Sequence, residues 1–348
     1  MVEWKKLGDI CEIGTGSNNR EDASEDGLYP FFVRSQEVLR IKSYLYNEEA
    51  ILIPGEGGIG DIFHYINGKY GLHQRTYRVH PISNSIIGKY VFYYLFANFK
   101  SYINQKSYKA TAASIRKPML TDFPISIPSI EEQRRIVGIL DTFTASIDNL
   151  KEQIAQRRRQ YEYYRDQLLD LEGKPGVKIK PLDSIAEIGT GSSNTQDELE
   201  FGKYPFFVRS QIVRWKDEYE FDETAVITSG DGVGVGKVLH YYEGKYALHQ
   251  RAYRIHVLIK DFVPKFLFYY MQKDFYNYIM SNAYAASVTS VRKPMLLKYP
   301  IPVPSLAEQQ RIVAILDTFE ASIQNLEAQL KEREKQYEYY RNKLLTFE

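Results

Sequence analysis

The sequence predicts an α+β chain in which two similar α/β domains are each followed by one long helix, the two helices pairing inside the same polypeptide. The first observation is a tandem repeat. Residues 12–17, Glu-Ile-Gly-Thr-Gly-Ser, recur as 187–192, and Tyr-Pro-Phe-Phe-Val-Arg-Ser-Gln at 29–36 recurs unchanged at 204–211. Leu-His-Gln-Arg at 72–75 returns at 248–251, and Arg-Lys-Pro-Met-Leu at 116–120 returns at 292–296. The offset is 175 early and 176 late, so one residue is inserted between. The second observation is a seam: Ile136, Leu140, Phe143, Ile147, Leu150, Ile154, Tyr161, Tyr164, Leu168 and Leu171 step by fours and threes. That 3.5-residue period is the a/d stripe of a coiled coil. The third is its copy, Ile312, Leu316, Phe319, Ile323, Leu326, Leu330, Tyr337, Tyr340, Leu344 and Phe347, every member displaced by 176. Arg157 and Arg333 interrupt the two seams at matching places. A lone helix cannot bury such a stripe, so two matched ones predict an internal pair. The alternative is that each helix packs separately on its own domain.

Within each domain the signals are mostly strands. Runs at 51–53, 61–65 and 76–80 are β-rich and separated by Gly, Asn and Pro. One helix is expected over 88–105 with its mate over 264–280, where Pro264 suits a first helical turn. Pro-rich segments at 123–128 and 299–304 read as extended, because Pro disfavours helix at the residue before it. Two Gly and two Pro at 173–181 end the first long helix. The expected boundaries are a first domain at 1–128, a long helix at 129–172, a linker at 173–181, a second domain at 182–304 and a long helix at 305–348.

Composition narrows the class. The chain has 348 residues, 44% hydrophobic and 26% charged, with a formal net charge of +1, so no global basic field announces a nucleic-acid partner. Any basic surface must be local or supplied by a partner. One cysteine, Cys11, excludes a disulfide framework and fits a reducing compartment. No apolar run nears the ~18 residues of a membrane span, and residues 1–5 do not open a signal peptide, so no membrane is expected and the cytoplasm is. The 29 tyrosines suit either a binding surface or an ordinary core.

Chemistry is sparse. Residues 55–60 match Gly-x-Gly-x-x-Gly, but a strand rather than a helix should follow, and the second copy, with Gly230, Gly232, Gly234 and Gly236, breaks the spacing. A tight loop that lets backbone approach another molecule is the better reading than a nucleotide cradle. There is no Walker A sequence and no Asp/Asn-Pro-Pro-Tyr/Phe tetrapeptide. Glu243-Gly-Lys245 resembles the tail of a nuclease motif, yet the first copy has Asn67-Gly-Lys69. His64, His73 and His80 pair with His240, His249 and His256, at spacings that fit no common metal pattern. His73-Gln-Arg75 and His249-Gln-Arg251 carry groups able to bond base edges, or else form a buried polar network. Residues 107–118 and 282–294 mix small hydroxyls with an Arg-Lys pair, as phosphate contacts require, or as any solvated loop allows.

Residues 4–16, Trp-Lys-Lys-Leu-Gly-Asp-Ile-Cys-Glu-Ile-Gly-Thr-Gly, and the Pro-x-x-x-Glu-Gln starts of both long helices at 125–137 and 301–313 resemble the specificity subunit of type I restriction–modification systems. The resemblance covers nearly the whole chain. It implies two target-recognition domains separated by two long antiparallel coiled-coil helices, a pseudo-twofold tandem repeat. It implies no catalytic activity, and no cofactor in this subunit. The partners implied are double-stranded DNA, two adenine methyltransferase subunits that use S-adenosylmethionine, and optionally an ATP-driven restriction and translocation subunit. Each recognition domain would read half of a bipartite site, with the helices as the ruler of the gap. Family members usually carry dissimilar recognition domains, whereas these two share identical blocks.

On that reading the candidate DNA contacts are the polar and glycine positions of the repeated blocks. In the first copy they are Thr15, Ser17, Arg34, Ser35, Gln36, Gly57, Gly58, His73, Gln74, Arg75, Lys109, Thr111, Ser114, Arg116 and Lys117. In the second they are Thr190, Ser192, Arg209, Ser210, Gln211, Gly232, Gly234, His249, Gln250, Arg251, Ser287, Thr289, Ser290, Arg292 and Lys293. The rivals are a non-DNA scaffold with duplicated ligand-binding domains, and a specificity subunit of another restriction–modification type.

Overall fold

A computed structural model describes residues 2–106, 114–232, 234–282 and 290–347. The chain forms two compact units, one of residues 1–151 with 328–348, the other of residues 152–327. Both boundaries fall inside the long helices rather than at their starts.

In the first unit a six-stranded sheet runs in the order Cys11–Thr15, Thr76–Pro81, Tyr46–Pro54, His64–Leu72, Tyr29–Phe32, Val38–Ile41. All neighbours are antiparallel except Tyr29–Phe32, which lies parallel to His64–Leu72. The central strand is apolar on consecutive positions because both of its faces are covered. Ile51 and Ile53 enter a core with Tyr90, Val91, Leu95 and Phe99 of the helix Gly88–Lys106, whereas Ala50 and Leu52 pack with Phe32, Tyr70 and Leu72. The strand expected at 61–65 begins only at His64. Asp61 N–H instead closes a turn on the Gly58 carbonyl, which lengthens the Gly-rich loop. The Pro-rich segment is a strand, Pro124–Ile127, paired among the described residues with Glu3–Lys6, a two-stranded edge that tolerates proline.

The second unit repeats the design, with strands Ala186–Thr190, Ala252–Val257, Phe221–Ser229, Leu239–Leu248, Tyr204–Phe207 and Arg214–Lys216 in that order and the helix Pro264–Asn282 on its core side. Pro300–Val303 pairs with Lys178–Pro181, so the last four residues of the expected linker are a strand.

The long helices are Ile130–Leu168 and Leu306–Leu345. In the first unit Phe143 stacks on Tyr340 at 5.4 Å, and Lys151 Nζ lies 3.5 Å from Glu334. In the second, Tyr164 stacks on Phe319 at 5.4 Å and Arg158 pairs with Glu327. Numbers rise on one helix as they fall on the other, so within each unit the pairing is antiparallel, and packing of each helix on its own domain alone is excluded. The polar seam positions are accommodated by rings: Arg333 sits 5.8 Å over Phe143, and Arg157 5.9 Å over Phe319. Leu171 and Phe347 lie beyond the helix ends. Gly173, at φ +71°, closes a turn after Leu171, which is buried in the core of the second unit.

Each core thus draws on both helices. The first contains Ile136 and Leu140 from one and Leu345 from the other, and the second contains Ile312 and Leu316 with Leu169 and Leu171. Each such side chain contributes roughly 1.5–3 kcal/mol on burial. Cys11 is buried, and its thiol is pushed up to about 12, by burial first and then by Glu49. Among the described residues no helix is long and apolar enough to cross a membrane.

Candidate nucleic-acid interface

Five separated stretches converge at one place in each unit. In the first, Gly55 N–H donates to the Arg75 carbonyl at 2.9 Å and Ile115 N–H to the Gly55 carbonyl at 2.7 Å. His73 N–H reaches the Phe32 carbonyl at 3.0 Å, and Gln74 N–H the Asn18 carbonyl at 2.9 Å. The second unit repeats these bonds from Gly230 to Arg251, Val291 to Gly230, His249 to Phe207 and Gln250 to Ser193. The end of one strand, the Gly-rich loop, the His-Gln-Arg turn, the segment before Arg116 or Arg292, and the residues after the Gly-Thr-Gly block therefore share a surface.

A carboxylate holds two arginines at its centre. Glu56 Oε2 accepts from Arg34 Nη1 at 3.0 Å and from Arg75 Nη1 at 2.9 Å. Asp231 does the same through two oxygens, Oδ1 to Arg209 at 2.7 Å and Oδ2 to Arg251 at 3.2 Å. The Arg75 hydrogen bond, aided by Arg34, lowers the Glu56 carboxyl below its usual range. At Asp231 burial works the other way, and Arg209 and Arg251 together overcome it to lower that carboxyl too. Sequence reasoning missed both acids. The signal was there: both copies carry an acid directly after the first glycine of the loop, while the residues beyond it diverge.

The His-Gln-Arg triplets divide. His73 and His249 are buried, and their Nδ1 atoms accept the backbone N–H of Arg75 and Arg251 at 3.0 and 2.9 Å. They cap the turn from inside, which favours, for these two rings, the buried-network reading over the base-edge one. Burial, reinforced by Arg34 and Arg75, lowers the His73 pKa; burial and Arg209 lead the same shift at His249. Gln74 and Gln250 are exposed and donate to Asn19 and Asn194, while Arg75 and Arg251 project outward.

The remaining candidates are distributed around this centre. Thr15, Ser17, Thr190 and Ser192 are exposed. The glycine between each pair is dictated by packing, since a Cβ on Gly16 or Gly191 would lie 1.8 Å from the carbonyl oxygen of Leu72 or Leu248. Ser192 donates through N–H and Oγ to Glu220, where the first copy has Leu45. The Ser35 and Ser210 hydroxyls close turns on Glu37 and Ile212; Gln36 and Gln211 are exposed. Gly57 and Gly58 hold φ of +69° and +68°, and Gly232 holds +87°. Gly60 and Gly236 occupy matching places, against the Cα atoms of Lys100 and Tyr276. Gly58 then answers to Gly234, both facing the residue four positions on, and the inserted residue is Val233, outside the described residues. The loop leads into the strand His64–Leu72, so no helix N-terminus follows it.

Arg116, Lys117, Arg292 and Lys293 are exposed where short helices begin, with Ser114 and Ser290 half-buried beside them. Lys109, Thr111, Ser287 and Thr289 lie outside the described residues. The histidines do not converge: His64 bonds the Ser35 carbonyl and His80 that of Glu49, as His240 and His256 do with Ser210 and Thr224.

The Glu-Gln helix starts have a structural cause. Gln133 is fully buried; its Oε1 accepts Ile87 N–H at 2.9 Å while Nε2 donates to the Ser85 and Pro128 carbonyls, both at 2.9 Å. Gln309 repeats this with Val263, Asp261 and Pro304. One amide thus fixes the start of each long helix to the start of the helix beneath it.

The family model described as the type I restriction modification DNA specificity domain matches residues 1–157 and 175–334. The type I restriction enzyme EcoDI specificity subunit of Escherichia coli is 26% identical over 93% of this chain and 84% of its own. The solved S subunit of a type I restriction–modification system from M. genitalium superposes with a TM-score of 0.72 at 16% identity, covering 100% of this chain and 97% of that one. A further chain, solved for complex assembly and conformational transition of a type I R-M system, gives a TM-score of 0.58 at 14% identity, with coverages of 99% and 97%.

Proposed function

The chain belongs to the family of type I restriction–modification DNA specificity subunits, and from that premise we propose that it is a non-catalytic reader of a bipartite DNA target. Each unit reads one half-site, the two halves being closely related because the converging loops are. The paired helices set the gap. Two adenine methyltransferase subunits dock on the chain and carry S-adenosylmethionine, and a restriction subunit joins where the system has one. The complex works in the cytoplasm.

The observation that supports this best is the arginine–carboxylate centre repeated in both units, with Arg34, Arg75 and Arg251 exposed and the two acids half-buried, flanked by Arg116 and Lys117 or Arg292 and Lys293. Arginine forks suit guanine edges and the flanking cations suit phosphates. A net charge of +1 is acceptable for such a reader when its partners supply basic surface around the duplex. The test is to assemble the chain with its methyltransferase, expose random DNA to the complex and sequence the methylated adenines. One interrupted motif with related halves is expected. Methylation without sequence preference would refute the reading and favour the scaffold.

A further inference from the structure

The carboxylate at the centre of each arginine pair lacks a use in binding DNA as such. It adds little to stability, because Arg34, Arg75, Arg209 and Arg251 expose 38–61% of their side chains and ion pairs at such positions contribute little. It is also the wrong charge for a phosphate clamp, since a negative group about 3 Å from both guanidiniums repels the anion they would attract. What it offers is a bias on the arginines: each donates Nη1 to the acid, a pair that is weak in open water and strengthens once a bound duplex excludes water, and that contact favours one orientation of the planar fork. Fixed forks are what bidentate reading of a base edge requires.

The two copies fix their forks differently. Glu56 draws both arginines onto the single oxygen Oε2, whereas the shorter Asp231 splits them between Oδ1 and Oδ2. The one residue by which the two copies differ in length also falls in this loop, beside Gly232.

We infer that Glu56 and Asp231 are positioning residues that set base specificity, each fixing the spacing of two arginine forks. The difference between one shared oxygen and two is then a source of difference between the half-targets. This rests on the reading of the chain as a DNA specificity subunit.

The experiment uses the full chain assembled with its methyltransferase and a random DNA library, comparing wild type with Glu56→Gln, Glu56→Asp, Arg75→Ala and the Glu56→Gln/Arg75→Ala double variant. Glu56→Gln is expected to keep the melting temperature and to bind DNA overall at least as tightly, since the charge that repels phosphate is gone, while discrimination at one base pair of one half-target falls roughly 5- to 150-fold, the worth of a bidentate contact. The double variant should lose no more than Arg75→Ala at that base pair, and the other half-target should not change. Glu56→Asp, which keeps the charge, should alter the preference at the same base pair rather than erase it, and it decides the matter if Glu56→Gln melts early. A wild-type complex without sequence preference would refute the functional reading itself. A selective wild type whose preferences survive both Glu56 variants unchanged would overturn the inference alone. So would an even loss of affinity across all sequences.

Discussion

Arg75 and Lys117 sit close together in the first unit and should fail in different ways. Arg75→Ala should cost about 1–3 kcal/mol at its target and relax one base pair. Lys117→Ala should weaken all sequences alike and reduce the salt slope by about one. Binding across a salt series separates the two outcomes. Sequence reading left Arg75 open between a base contact and a buried network; both residues are exposed. It could not separate His73 from its neighbours, since burial depends on the strand end that His73 caps. The buried rings give the fold its own pH dependence. His64, His73, His240 and His249 have pKa values lowered from 6.5, chiefly by burial. The unfolded chain therefore takes up protons near 6.5 and the folded chain only below it, so stability is full above that pH and falls as the pH drops through it. Urea midpoints should be lower at pH 5.5 than at pH 7.5, and an unchanged midpoint would contradict the assignment.

The long helices were legible from periodicity because a 3.5-residue stripe survives any detail of packing. Their limits were not. The stripe runs on into Leu171 and Phe347, which are apolar because the cores need them, although helix has ended by then. The Glu-Gln starts, legible as a family signature, carry a mechanical role that spacing could not reveal, because Ser85 and Ile87, which Gln133 binds along with nearby Pro128, are distant in sequence. Gln133→Ala would leave the half-buried Ile87 N–H without its acceptor and should cost about 1–3 kcal/mol. A thermal melt of the full chain measures this, and Gln309→Ala should behave alike. Swapping Phe143 against Arg333 is a less direct probe, since ring and guanidinium already satisfy one another.

The duplication was readable at once, and with it two domains and two helices. The repeat alone is identical whether each helix serves its own domain or the other; the antiparallel pairing that decides between them was what the seams and the family resemblance implied. The proposed ruler follows from the paired helices. Inserting four residues near Gln156 and four near Glu332 adds ~6 Å to each helix and acts as a stutter that coiled coils absorb by local unwinding. At ~3.4 Å per base pair, the preferred gap should lengthen by one or two base pairs with both half-sites unchanged. Methylation mapping reads this directly, and a folded variant that keeps the original gap would show that the helices do not measure it.

The shared cores also impose an order in time. The core of the first unit needs Leu345, with Tyr337, Leu344 and Phe347 packed against it, although its sheet is made from residues before 82. The second unit has all of its residues by Glu327. On the ribosome the domain synthesised first is therefore the last to be sealed. At ~5–20 residues per second the Ile136–Leu140 face waits roughly 10–40 s for its cover, and the sheet longer. Until those last residues are made, that apolar face of the first unit lacks its cover.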